Sequence, residues 1–176
     1  AQWAEVNPYE LLFKSFGGSG YDIACAKAST PILYRLQEGR PYSYPLQLLF
    51  PYTNRIYFVY LNQKQNSKEG IKRYRTVTKS KPKLAESITK ITEQLILAQT
   101  IIDFCALLNQ HEATISQYLG IPTVKERLFA DFKGTIKSLG AWGGDFVLAI
   151  SETEDVPAYF ASKGYPICIS YAEMII

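Results

Sequence analysis

The residues most able to do chemistry stand in two short glycine-rich stretches. In the first, GGSGYDIACA (17–26), a single carboxylate, Asp22, follows Gly18, Ser19 and Gly20 and precedes a run of small apolar residues. A carboxylate so placed has two readings. It stabilises the start of a helix as a cap or first-turn acid, or it orients and deprotonates a substrate hydroxyl. In the second stretch, KSLGAWGGDF (137–146), Lys137 leads into Gly140, Gly143, Gly144 and Asp145. Glycine-rich loops let several backbone N–H groups turn toward one anion, and the missing Cβ permits close approach. Neither stretch is a P-loop, because no GKS or GKT follows, and neither matches GxGxxG, so a tight turn is the plainer reading of each taken alone. Lys137 is either a cation for an anionic substrate or an exposed strand lysine. Asp145 is read as holding its loop through backbone hydrogen bonds.

Other chemistries are poorly supplied. Cys25, Cys105 and Cys168 are odd in number, widely spaced and set among small or apolar residues, which predicts free buried thiols rather than a disulfide framework or a zinc site. His111, the only histidine, lies in NQHEAT without a partner at metal-ligand spacing and is assigned a surface or structural role. Basic residues cluster between Lys64 and Lys83, as a solvated face or as an anion-facing edge. The net charge of +3 and the lack of regular aromatic interleaving argue against nucleic acid as a partner. No run of 18 apolar residues and no basic leader with an apolar core is present, which argues against a membrane span or signal peptide. The opening AQWAEV reads as the middle of a structure, so the chain is expected to be a fragment, a processed product or a trimmed piece.

The elements that must position these residues follow from periodicity and punctuation. Asn7 and Pro8 open a short helix over 8–16, and the small residues after Tyr21 form a second helix to about Ser29. ILYRL (32–36) is a strand. Residues 38–54, with Pro41, Pro45 and Pro51, form a connector with extended pieces and a domain boundary. RIYFVYL (55–61) is a buried strand. A short helix is expected over 68–75, capped by Asn66 or Ser67. Leu84, Ile88, Ile91, Leu95, Ile96 and Ile102 form one apolar stripe of a long helix, followed by a second over 104–118 that ends at Gly120. A further short helix over 123–130 precedes strand, glycine loop and strand over GTIKSLGAWGGDFVLAIS. The chain then closes with the helix VPAYFASKGY and the strand PICISYAEMI. Strands and helices intermix without strict βαβ alternation, which predicts an α+β fold, an antiparallel sheet with helices on one face.

Taken together, GGSGYDIACA and KSLGAWGGDFVLA resemble two segments of the GHMP kinase superfamily, which includes mevalonate and phosphomevalonate kinases. The opening stretch is most similar to a bacterial subgroup named for the string Gly-Tyr-Asp-Ile-Ala. The resemblance implies a ferredoxin-like GHMP C-terminal domain over 51–176, preceded over 1–50 by the end of an N-terminal catalytic domain. It implies ATP with Mg2+, a small-molecule alcohol or phosphate as substrate, a mevalonate-like pathway and a cytoplasmic setting. Asp22 then becomes the catalytic carboxylate, while Gly18, Ser19, Gly20, Lys137, Gly140, Gly143, Gly144 and Asp145 shape the substrate and phosphate loops. Two departures stand against this. Trp142 replaces a glycine of the family's late motif, and the GLGSS-type loop that cradles nucleotide phosphates is absent from the chain. The competing expectation is a catalytically silent metabolite-binding or interaction domain.

Overall fold

Asn7 caps the first helix as expected: its Oδ1 accepts from the Tyr9 N–H at 3.0 Å, and Pro8 occupies the first helical position of α1, Pro8–Ser15. The computed structural model describes residues 6–15, 18–47, 50–63, 67–77, 81–140, 142 and 144–175. The chain divides into two units, Ala1–Leu49 and Phe50–Ile176.

In the first unit α1 is followed by α2, Tyr21–Lys27, and by a hairpin of β1, Ile32–Gln37, and β2, Arg40–Pro45. The hairpin resolves part of the stretch read as a connector. Glu38 and Gly39 both take left-handed backbones (φ 51° and 76°), the geometry of a two-residue turn matched to strand twist. Pro41 and Pro45 are tolerated because a two-stranded sheet gives each strand a free edge. Cys25 is exposed, against the expectation of a buried thiol, because α2 turns only Ala24 into the interior.

The second unit is built on a four-stranded antiparallel sheet in the order β4-β5-β3-β6. Its strands are β3, Ile56–Tyr60; β4, Thr135–Ser138; β5, Phe146–Ile150; and β6, Cys168–Ser170. The fold is α+β. Its helices are α3, Ser67–Thr76; α4, Lys81–Leu97; α5, Ile101–Leu119; α6, Val124–Leu128; α7, Val156–Ser162; and α8, Tyr171–Met174. Alternation along β3 sorts the core. Ile56 and Phe58 pack with Phe104 and Leu108 of α5, whereas Val59 packs with Val124 of α6 and Phe160 of α7. The long helices therefore cover one face, and the short α6 and α7 close the other. Gly134, at the head of β4, is required by space: a Cβ there would stand 2.2 Å from the Ile150 carbonyl oxygen.

Several boundaries differ from the sequence reading, three of them for a clear local reason. Ile102 belongs to α5 and not to the preceding helix, because Thr100 caps a fresh start by accepting from the Asp103 N–H at 3.1 Å. The helix after Pro122 starts one residue later than expected, with Thr123 and Glu126 forming a reciprocal capping box. The closing strand is only three residues long, and a second capping box, Ser170 with Glu173, converts the rest into α8. Asn66, proposed as a cap, lies outside the described residues.

Candidate functional site

Asp22 is the second residue of α2 and is exposed. The cap position belongs to Gly20, whose backbone is left-handed (φ 79°, ψ 8°), so the local role left to Asp22 is that of a first-turn acid facing the helix dipole. Gly20 is buried and must be glycine twice over. Its φ disfavours any side chain, and a Cβ would stand 2.9 Å from the Tyr9 ring. Ser19 is engaged in shaping this turn: its Oγ accepts from the Tyr21 N–H at 3.2 Å, and its carbonyl accepts from the Tyr34 hydroxyl at 2.5 Å. Tyr21 stacks edge-on against Tyr34 with ring centroids 5.5 Å apart. A hydrogen bond with Cys25, followed by burial, pushes the Tyr21 phenol up to about 12. Gly18 is exposed at φ 112°, with open space where a Cβ would sit. The first unit thus presents one carboxylate beyond a turn held by three tyrosines.

In the second unit, β4 and β5 pair antiparallel and the glycine stretch is the turn between them. Gly140 (φ 63°) and Trp142 (φ 54°) are both left-handed, Gly144 is buried, and Gly143 lies outside the described residues. Asp145 ties the turn down through its carbonyl, which accepts from the Leu61 N–H at 2.6 Å, while the residue itself is exposed.

Lys137 points into the fold. Its Nζ lies 3.0 Å from Glu112 Oε1 on α5 and donates to the Ser138 carbonyl at 2.7 Å; the two charged side chains are 15% and 8% exposed. Glu112 Oε2 accepts from the Ser138 hydroxyl at 2.7 Å, and Asn109 Nδ2 donates to Thr135 Oγ1 at 3.1 Å. The side chains of α5 and β4 are therefore joined by a polar seam. Glu112 Oε1 has no partner in hydrogen-bond geometry, so its contact with the ammonium is ionic. His111 adjoins the seam with Nδ1 buried and unpartnered. Burial first, then the Lys137 charge, lowers its imidazole from 6.5 to about 4.

Next to this seam lies a cavity of about 360 Å³. Arg73 of α3 and Arg127 of α6 line it with Glu112, Ser138, Thr123 and the Trp142 indole, and apolar surface comes from Ile115, Leu119 and Val124. Sequence reasoning missed Glu112, although a signal was present. Leu108, Glu112, Ile115 and Leu119 recur at steps of four, three and four on one helix face, and all four are buried. Among the described residues no three His, Cys, Asp or Glu side chains gather as metal ligands would, and no helix is long and apolar enough to cross a membrane.

Comparison with solved structures finds the same fold in mevalonate kinase of L. major, determined in complex with R-mevalonate. The TM-score is 0.58 at 16% sequence identity, over 86% of this chain and 50% of that one, so the chain spans about half the length of the structure it matches. At this identity the likeness is one of fold. No protein-family model matches the chain, and no curated protein matches it.

Proposed function

We propose that this chain is the C-terminal part of an ATP-dependent small-molecule kinase of the GHMP class, acting on an alcohol or phosphate of the mevalonate type in the cytoplasm. The observation that carries the reading is the fold shared with a mevalonate kinase over 86% of the chain. The ordered resemblance of the Asp22 helix and the β4–β5 turn to two motifs of that class supports it.

In this reading Asp22 does the chemistry that the chain itself supplies. Its carboxylate accepts a hydrogen bond from the substrate hydroxyl, orients the oxygen, and takes its proton as the oxygen becomes the nucleophile. The exposed first-turn position suits this role, because α2 is fixed from behind by Ala24 and by the Gly20 turn while the carboxylate stays open to a ligand. The glycine turn beside Lys137 does not fit the phosphates of ATP, and the described residues do not fit its Mg2+. Lys137, the cation nearest the glycine turn in sequence, is taken up by Glu112, and no set of metal ligands gathers. No step is therefore derived through either group.

A coupled ATP-consumption screen of the complete protein that carries this chain, against mevalonate, phosphomevalonate and related alcohols, tests the proposal. Turnover with one of them is expected, and Asp22→Asn should lower it by about 10²–10⁴-fold, the contribution of a positioned general base. Unchanged turnover in the Asn variant removes Asp22 from the reaction. A complete protein inert toward every alcohol leaves the silent metabolite-binding reading standing instead.

A further inference from the structure

The geometry points to the cavity beside Trp142 as a binding site for an apolar organic anion, a phosphate or carboxylate head on a small hydrophobic body. The site lies wholly within the second unit, contains none of the residues of the Asp22 helix, and stands whether or not the kinase reading does.

Charge fixes the sign of the ligand. Arg73 and Arg127 line the cavity from two different helices, and neither guanidinium is within ion-pair distance of any carboxylate whose side chain is described, a set that does not include Glu69. Among the described lining residues the one carboxylate, Glu112, is already offset by Lys137 at 3.0 Å. Among the described lining residues the remaining charge is positive, and a guanidinium suits the planar or tetrahedral oxygens of a carboxylate or phosphate.

Shape and surface fix the rest. A volume of about 360 Å³ falls at the lower end of small-molecule sites. At the roughly 30 Å³ that liquid water occupies per molecule, it holds a body of about twelve non-hydrogen atoms. The apolar part of the wall is Ile115, Leu119, Ile121, Val124 and the Trp142 indole. Trp142 is a second, independent sign of a built site. Its φ of 54° is a conformation natural to glycine, and a residue held there against its own backbone preference is the kind of strain that clusters at ligand sites.

The probe is phenyl phosphate, with phenol and inorganic phosphate as separate arms, titrated into the chain carrying Trp3→Phe so that Trp142 is its only tryptophan. Saturable change in Trp142 emission is expected with phenyl phosphate. Each of Arg73→Gln and Arg127→Gln should weaken binding by about tenfold or more, the loss of one charge-assisted hydrogen bond. Both arginines are exposed, so folding is retained, and unchanged circular dichroism verifies it. Phenol and inorganic phosphate should each bind at least about tenfold more weakly than phenyl phosphate. No saturation with phenyl phosphate, affinity indifferent to both arginines, or equal binding of either control overturns the assignment. None of these outcomes bears on Asp22, whose test reads turnover.

Discussion

Replacing Lys137 with methionine separates a lysine that serves a ligand from one that serves the fold. The ammonium lies 3.0 Å from Glu112 Oε1, with both side chains nearly closed to solvent. At an effective dielectric of about 20 their attraction is about 5–6 kcal/mol, but most of that is offset by taking both charges out of water. The pair as a whole is therefore worth little, while removing one partner is costly, because it strands the other. Lys137→Met leaves the Glu112 carboxylate buried with only the Ser138 hydroxyl to serve it, and the expected loss is about 3–5 kcal/mol. For a chain of this length each kcal/mol moves the melting temperature by about 2–4 °C, so a fall of roughly 6–20 °C is expected. Urea unfolding followed by circular dichroism gives the free energy directly, and the double variant Lys137→Met/Glu112→Gln should recover more than half of it. A single variant within about 0.5 kcal/mol of the parent, or a double variant equal to the sum of the two single losses, refutes the buried pair.

The imidazole of His111 is held neutral by burial and by the nearby Lys137 charge, with its value lowered from 6.5 to about 4. Between those values the unfolded chain binds a proton that the folded chain refuses. The stabilising contribution is therefore complete above pH 6.5 and falls away as pH drops toward 4. The urea midpoint measured across that window should slope less in His111→Gln than in the parent, and equal slopes would clear His111 of the effect. Gly134→Ala places a Cβ 2.2 Å from a backbone oxygen and should cost about 2–4 kcal/mol, whereas Gly120→Ala, left-handed but with open space around it, should cost only about 1 kcal/mol. Thermal melts of the two alanine variants compare them directly, and equal losses would mean that the Gly134 contact relaxes freely.

Most elements of the fold were legible because local signals and burial agree. RIYFVYL reads as a buried strand and is the centre of the sheet, with Val59 fully enclosed. Failures came where two local signals compete. The stripe from Leu84 to Ile102 keeps its helical spacing across residues 98–100, so periodicity runs on, but the Thr100–Asp103 cap restarts the helix there. In PICISYAEMI the strand-forming residues hide a Ser170–Glu173 capping box, which wins over the last turn. The site was less legible than the fold, because partners across elements leave no spacing to read. Nothing local to Lys137 announces that its ammonium meets a carboxylate twenty-five positions earlier on α5, and nothing in Arg73 or Arg127 places them on one cavity.

The β4–β5 turn shows how a shared architecture is put to different use by two side chains. In GAWGGD the residue that departs from a glycine pattern still has a glycine's backbone, with φ at 54°. Holding a tryptophan there costs about 1–3 kcal/mol. Trp142 is largely covered, packing on the cluster of Leu84, Ile115, Tyr118 and Leu119, and taking roughly 150 Å² of indole out of water returns about 3–4 kcal/mol. The burial therefore offsets the backbone cost. The same indole stands on the cavity wall with two arginines, so one residue serves both the packing and the site. Lys137 argues the same way from the other end of the turn: buried against Glu112, it leaves the positive charge of the site to Arg73 and Arg127. The turn that resembles a phosphate loop thus serves here as one wall of an anion site whose cations come from α3 and α6.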